Sequence, residues 1–204
     1  MKIVAISDTH GQHKQLDIPD GDVLIHAGDC TKHGTPEDLF SFLYWFKKWP
    51  HKHKIFIAGN HDRCLLYTEE DHLEGIRYLE NSSMIIDGVK FWGSPYTPKF
   101  GDWAFMLPRD EMKNVWDKIP VDADVVITHG PAYGLADLTV DGVNAGCSSL
   151  RETLEDIKPL LHICGHIHEG HGAESPPWLN TNVHNVSVLD ENYRLVNPPT
   201  IIDI

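Results

Sequence analysis

No Cys-x-x-Cys pair occurs in this 204-residue sequence, and its four cysteines, Cys30, Cys64, Cys147 and Cys164, are widely spaced. That spacing reads against a zinc knuckle or a disulfide scaffold and leaves the thiols as small buried hydrophobes. No apolar run approaches the roughly 20 residues that span a bilayer. The stretch Ile3-Val4-Ala5-Ile6 is too short for a secretory signal and runs straight into Ser7-Asp8, so a cytoplasmic protein with no membrane partner is expected. Basic residues are scarce: 17 Lys plus Arg stand against 30 Asp plus Glu, a formal charge of −13. A broad face for long nucleic acid needs clustered cations and is not expected. A small phosphorylated substrate is still compatible, because bound metal ions would invert the local field. Repeats, low-complexity tracts and linkers are also missing, and the length suits one domain over residues 1–204.

Histidine, in contrast, is plentiful, with 14 residues. Several follow short apolar runs that read as buried strands. Residues 2–7 form the first such run and end at Asp8-Thr9-His10. Residues 22–27 end at Gly28-Asp29, and residues 54–58 end at Gly59-Asn60-His61-Asp62. Residues 124–128 end at His129, and residues 160–164 end at Gly165-His166-Ile167-His168. Between them, residues 36–48 carry apolar side chains at helical spacing, with Thr35 as N-cap, Pro36 in the first position and Pro50 as the stop. Further strands are expected at 77–79, 84–86 and 89–92, the last two joined by a hairpin turn at Asp87-Gly88. Residues 94–108 read as a Pro- and aromatic-rich loop, 109–118 and 148–158 as helices, and 132–146 as a Gly-rich loop. Strands are expected again at 185–188 and 200–204. Alternating strands and helices predict an α/β sandwich.

Asp, His and Asn gathered at strand ends make an oxygen and nitrogen donor set without thiolate. Such a set suits Mn, Fe, Zn, Co or Ni over calcium or an iron–sulfur cluster. Such groups at five strand ends exceed one site, and two divalent transition-metal ions sharing a carboxylate account for the excess. Metal pairs of this kind, roughly 3.5–4 Å apart, clamp the attacking and leaving oxygens of a phosphoryl displacement.

This ordered set resembles the five motifs of the calcineurin-like metallophosphoesterase family. The resemblance implies a four-layer α-β-β-α sandwich. It also implies that Asp8, His10 and His168 hold one ion, that Asn60, His129 and His166 hold the other, and that Asp29 bridges. His61 would contact the phosphate instead of a metal, stabilising the transition state or protonating the leaving oxygen, with Asp62 a candidate to orient it. The nucleophile would be a metal-bound hydroxide, and manganese the first choice of ion. Residues 94–98, 103–109, 128–131, 168–170 and 197–199 are similar to the narrower metallophosphoesterase-domain-containing (MPPED) subgroup. That subgroup implies phosphodiesterase activity on small substrates, including cyclic nucleotides. Its members of low activity have Gly where this chain has His166, so a complete second site is expected here. Protein phosphatases of the superfamily place an Asp-Arg pair where this chain has Lys32-His33, which reads against that activity. A phosphomonoesterase, a nuclease, or a nucleotide-binding regulator with weak catalysis are the alternatives.

Tyr96, Trp103 and Phe105 are candidates to stack on a nucleobase, with core packing weighed equally. Asn60 and His61 are expected to touch substrate, and Arg63 and Arg109 are weighed as phosphate contacts against surface ion pairs. His13, His51, His53 and His162 read as surface or loop groups, and His26 as a hydrogen-bonded core residue. Asn182, His33, His171 and His184 are weaker candidates for the pocket.

Overall fold

The computed structural model describes residues 1–68, 73 and 75–204. Thirteen strands are named among them: β1 (Lys2–Ile6), β2 (Val23–Ala27), β3 (His53–Ile57), β4 (Arg77–Tyr78), β5 (Ser82–Ile86), β6 (Val89–Ser94), β7 (Thr97–Pro98), β8 (Met106–Leu107), β9 (Val125–Thr128), β10 (Leu161–Cys164), β11 (Gly172–Glu174), β12 (Asn182–Asn185) and β13 (Thr200–Asp203). The helices are α1 (Pro36–Lys47), α2 (Lys113–Trp116) and α3 (Ser148–Ile157). One sheet has the order β13-β1-β2-β3-β4 and the other β11-β12-β10-β9-β6-β5. In the first, β1, β2, β3 and β4 run parallel; in the second, β6, β9, β10 and β12 do. Parallel strands present all their carboxyl ends on one edge, and that edge carries the chemistry of such sheets.

The layering follows from alternation along the strands. Ile3, Ala5, Ile25 and Ile57 of the first sheet meet Phe91, Val125, Ile127 and Ile163 of the second in a dry layer between them. The residues one step over, Val4, Ile6, Leu24 and Phe56, turn outward and pack on Leu39, Phe42, Leu43 and Phe46 of α1. Across the molecule, Trp92 and Val126 face Val115 and Trp116 of α2 and Leu150 and Leu154 of α3. The result is the expected α-β-β-α sandwich, with both faces of each sheet buried. Each fully buried aliphatic or aromatic side chain of this kind contributes roughly 1.5–3 kcal/mol.

Local signals were followed closely in places. The Thr35 hydroxyl accepts the Asp38 N–H at 3.1 Å, capping α1. Asp87 (φ 48°) and Gly88 (φ 88°) make the tight turn between β5 and β6.

Elsewhere the structure corrects the sequence reading. Within 109–118 the α-helix spans only Lys113–Trp116, because Lys118 and Ile119 bond back to the carbonyls of Val115 and Trp116 in tighter turns before Pro120. Residues 94–108 are not a structureless loop, since β7 and β8 pair within them. The strand expected at 185–188 lies three residues earlier, and β11, which had no apolar signal, pairs with it. After Asn185 the chain leaves the second sheet and bridges to Ser7 of the first, with Ser7 N–H bonded to Val186 O at 2.9 Å and Val188 N–H to Ser7 O at 3.1 Å. Val186 and Val188 are apolar because they fill the two cores on either side of this crossing.

His13, His51 and His162 are buried, not surface groups. His162 shares a hydrogen bond with the Thr128 hydroxyl (2.9 Å), and burial holds its pKa down to about 3. His13 packs edge-on against Phe42. No described helix is long and apolar enough to cross a membrane.

Candidate metal centre

Sheet edges from both halves of the sandwich converge on one cleft. Asp8 and His10 follow β1, Asp29 follows β2, Asn60 and His61 follow β3, His129 follows β9, and His166 and His168 follow β10. Four of these residues are left-handed: Asp8 (φ 55°), His10 (φ 41°), Asp29 (φ 55°) and His166 (φ 68°). Non-glycine residues adopt this conformation at a cost, and surrounding contacts must impose it. The glycines beside them are needed for a different reason. A Cβ on Gly59 would run into Asp29 Oδ1, and one on Gly165 into Asp8 Oδ2 and the Ser7 hydroxyl.

Asp8, His129 and His168 are each held at one end of the side chain by hydrogen bonds. Asp8 Oδ2 accepts from the Ser7 hydroxyl (2.5 Å), the Ser187 hydroxyl and the His166 N–H (3.0 Å). Asp8 Oδ1 is buried with no hydrogen-bond partner, 3.6 Å from His168 Nε2. His168 Nδ1 donates to Asp190 O at 2.9 Å and His129 Nδ1 to Ala27 O at 3.0 Å, which fixes both rings and leaves each Nε2 facing the cleft. His129 Nε2 lies 3.4 Å from Asp29 Oδ2 and 3.1 Å from Asn60 Oδ1. His10 Nε2 lies 3.6 Å from the same Asp29 oxygen, and both its ring nitrogens are buried without a hydrogen-bond partner. Asp29 Oδ1 accepts the His61 backbone N–H at 2.8 Å.

These separations fit shared coordination better than direct bonding. Donors around one ion at about 2.1 Å sit roughly 3.0–3.4 Å apart. Good charged hydrogen bonds are shorter, about 2.7–2.9 Å. Buried polar atoms without partners are costly, and a cation between them would satisfy Asp8 Oδ1 and His10 Nε2 together. Ligand atoms of Asp8, His10 and His168 come within 4.8 Å of one another, as do those of Asp29, His129 and His166, and of His10, Asp29 and His61. Asp29 therefore stands between the two halves of the set, and the residues present fit a pair of ions.

Charge without metal shows what loading must displace. Burial pushes His129 and His168 down, but Asp29 beside the first and Asp8 beside the second outweigh it and raise each to about 9. Burial pushes Asp8 and Asp29 up, yet the neighbouring histidines hold both below the usual carboxylate range. Burial holds His10 near 4 and His166 near 3, so both are neutral near pH 7. Loading at pH 7 should therefore expel about two protons per chain, from His129 and His168. In the metal-free chain the paired imidazoliums stabilise the fold fully below about 6.5, and that contribution fades as pH rises through about 9. Metal affinity runs the opposite way and strengthens with pH over the same window. Calorimetric titration in buffers of different ionisation enthalpy counts the protons, and zero release would contradict the assignment.

Trp103 lies nearly parallel to His61, with ring centroids 4.6 Å apart, and it lines the cleft. The His61 ring is oriented by Lys32 O, 3.2 Å from Nδ1. Asp62, the orienter considered from sequence, does something else. Its buried carboxylate accepts from Gly59 N–H (2.9 Å), Cys30 N–H (3.2 Å), Thr31 N–H (2.9 Å) and the Thr31 hydroxyl (2.8 Å), tying the tip of β2 to the tip of β3. Tyr96 does not line the cleft: it packs edge-on against Phe105, and its hydroxyl donates to Glu80 at 3.3 Å. Phe105 is core.

Arg109 is spent on the carbonyls of Ala145 and Gly146, both at 3.0 Å, and Arg63 on Asp102 O at 3.0 Å. His33 lies at the cleft, whereas Asn182 lies elsewhere, bonded to Ser175. His26 is the expected core residue, bonded to the Thr9 hydroxyl at 3.0 Å.

Two contributors were not singled out. Tyr193 sits edge-on to His10 (4.9 Å) and His168 (5.1 Å) at the mouth of the cleft, and Asn185 donates to Ala136 O and Ile167 O, shaping the loop that carries His166 and His168. Only the dense turn chemistry around Asp190 hinted at the first.

The model of the family described as "Calcineurin-like phosphoesterase" matches residues 1–170. Metallophosphoesterase domain-containing protein 1 of Homo sapiens is 35% identical over 100% of this chain and 71% of its own length. A UPF0046 protein of Caenorhabditis elegans is 36% identical over 100% of this chain and 75% of its own. A probable rhamnogalacturonate lyase C of Emericella nidulans is 42% identical over 87% of this chain, which spans only 18% of that protein. With the family's model covering every strand-tip ligand and relatives more than a third identical over the whole of this chain, this chain belongs to the calcineurin-like phosphoesterase family.

Proposed function

We propose that the chain is a metal-dependent phosphodiesterase that hydrolyses a small, cyclic-nucleotide-like phosphodiester. The observation that carries this reading is the shape of the cleft around the ligand set. His10, Asn60, His61, Trp103 and Tyr193 border two adjoining cavities, of about 370 and 630 Å³; the smaller also takes in Asp29, His166 and His168, and the larger extends away from them. A phosphodiester carries organic substituents on two of its oxygens, two separate arms when open and one ribose spanning both when cyclic, and so needs more room beside the phosphorus than a monoester does.

Asp8, His10 and His168 would hold one ion and Asn60, His129 and His166 the other, with Asp29 shared. Bound divalent ions would neutralise phosphate charge and supply an activated water near neutral pH. The chain's own groups do the remaining work. Lys32 O holds one proton on His61 Nδ1, so Nε2 faces the phosphate; the imidazolium form carries a second proton there, gives it to the departing alkoxide oxygen and returns to the neutral ring. Trp103 covers one face of that ring and restricts its rotation. Asn60 aligns a non-bridging phosphate oxygen, and water adds to phosphorus as the P–O bond to the leaving arm breaks.

The test is a paired turnover assay on protein stripped of metal and reloaded with Mn. Bis(p-nitrophenyl) phosphate and the 2′,3′- and 3′,5′-cyclic nucleotides should be hydrolysed well above p-nitrophenyl phosphate. Preference for the monoester would make the chain a phosphatase. Tight nucleotide binding without turnover would make it a regulator.

A further inference from the structure

Resting on that reading, the two cavities are chemically unlike, and the difference points to a narrower class of substrate. The smaller one is walled by Pro98, Phe100, Pro131 and Ile167. Among the described residues, apart from the metal ligands and His61, it carries one cation, Arg109, which donates to the Ala145 and Gly146 carbonyls, and one carboxylate, Glu169, which accepts the Val140 N–H at 3.2 Å, so its fixed charges cancel. The larger cavity is bordered by Lys32, His33 and Arg63, all exposed, together with Gln12. Lys32 and Arg63 take part in no ion pair among the described residues, although the chain carries 30 Asp and Glu against 17 Lys and Arg. Among the described residues lining this cavity Asp102 is the one carboxylate, and Arg63 contacts its backbone carbonyl, not its carboxylate. Among the described residues at this cavity, two cations outnumber the one carboxylate, a local reversal of field in so acidic a chain.

We infer that the larger cavity receives an anionic arm. The preferred substrate would then be a phosphodiester whose one organic arm carries a second phosphate, held by Lys32 and Arg63. Its other arm, flat or apolar, would lie against Phe100 and the prolines. Arg63 keeps donors beyond the one given to Asp102 O, and Lys32 keeps all three, so both can reach a phosphate oxygen. Trp103 and Tyr193, about half exposed at the boundary, separate the arms.

The test compares two probes on the Mn-loaded full chain: the p-nitrophenyl ester of thymidine 5′-phosphate, and the same ester bearing a 3′-phosphate. Wild type should favour the 3′-phosphorylated probe about tenfold in kcat/KM, mostly through KM, with the ratio falling toward one at high salt. Lys32→Ala with Arg63→Ala should bring the ratio near one at low salt. Asp102→Asn should raise it, an effect that loss of folding cannot mimic. A wild-type ratio near one, or a ratio unchanged in the double variant, overturns the inference while leaving the phosphodiesterase reading intact. No turnover of either probe overturns both.

Discussion

Asp29→Ala, loaded with metal under the same conditions as wild type, should lose at least about a thousandfold in kcat/KM. Removing a single donor that stabilises developing charge costs roughly 10²–10³, and Asp29 is asked to do more than one thing. One of its oxygens faces both His10 and His129, at 3.6 and 3.4 Å, and the other accepts the His61 N–H. It is 2% exposed, so water cannot take its place without rearrangement. Losing it separates the two halves of the ligand set and loosens the backbone of His61 at once. Asp29→Asn separates these effects, because an amide oxygen still accepts from His61 while the negative charge is gone. The fold should then survive and the second ion should be lost. Retention of more than a tenth of wild-type activity by Asp29→Ala would mean that the site has been placed wrongly.

Asp62→Ala should lower unfolding free energy by about 3–5 kcal/mol, as urea denaturation of the metal-free chain would show. The substitution leaves the buried N–H groups of Cys30, Thr31 and Gly59 without their acceptor, while the Thr31 hydroxyl can still turn to His61 O at 3.1 Å, and each such loss costs about 1–3 kcal/mol before relaxation. The Cys30 thiol, 3.4 Å away, loses an acceptor too. Burial and the Asp29 charge push the Asp62 carboxyl up, while the Thr31 and Gly59 groups pull it back. The residue therefore spends its bonds on joining two loops and not on His61. Metal affinity should fall as well, because those loops carry Asp29 and Asn60. A change below about 1 kcal/mol would show that the network is dispensable.

Much of this architecture could be read directly from the residues. The runs before Asp8, Asp29, Asn60, His129 and His166 are apolar because parallel strands are buried on both faces. Their polar tips are conspicuous for the same reason. Less visible are the backbone acceptors that orient the histidines. Ala27 O, Lys32 O and Asp190 O could as well be carbonyls of any residue type, and Asp62 was the more obvious partner for His61 only because it is a carboxylate next in sequence.

Tyr96 and Trp103 show the same limit. Both are aromatics in a Pro-rich segment, yet the pairing of β7 with β8 turns one toward Glu80 and the other onto His61. Tyr193 lies outside residues 1–170, the stretch matched to the family, and reaches the site only because residues 186–188 cross from one sheet to the other. His162 and His13 illustrate the converse: nothing in composition distinguishes a core histidine bonded through Nε2 to a hydroxyl, Thr128 for the first and Ser41 for the second, from one on the surface.

The most direct test is a crystal structure of the Mn-soaked chain with anomalous scattering recorded near the manganese edge. Two peaks roughly 3.5–4 Å apart are expected on either side of Asp29, one against Asp8, His10 and His168 and the other against Asn60, His129 and His166. A single peak, or peaks that do not touch Asp29, would contradict a two-ion site bridged by that carboxylate.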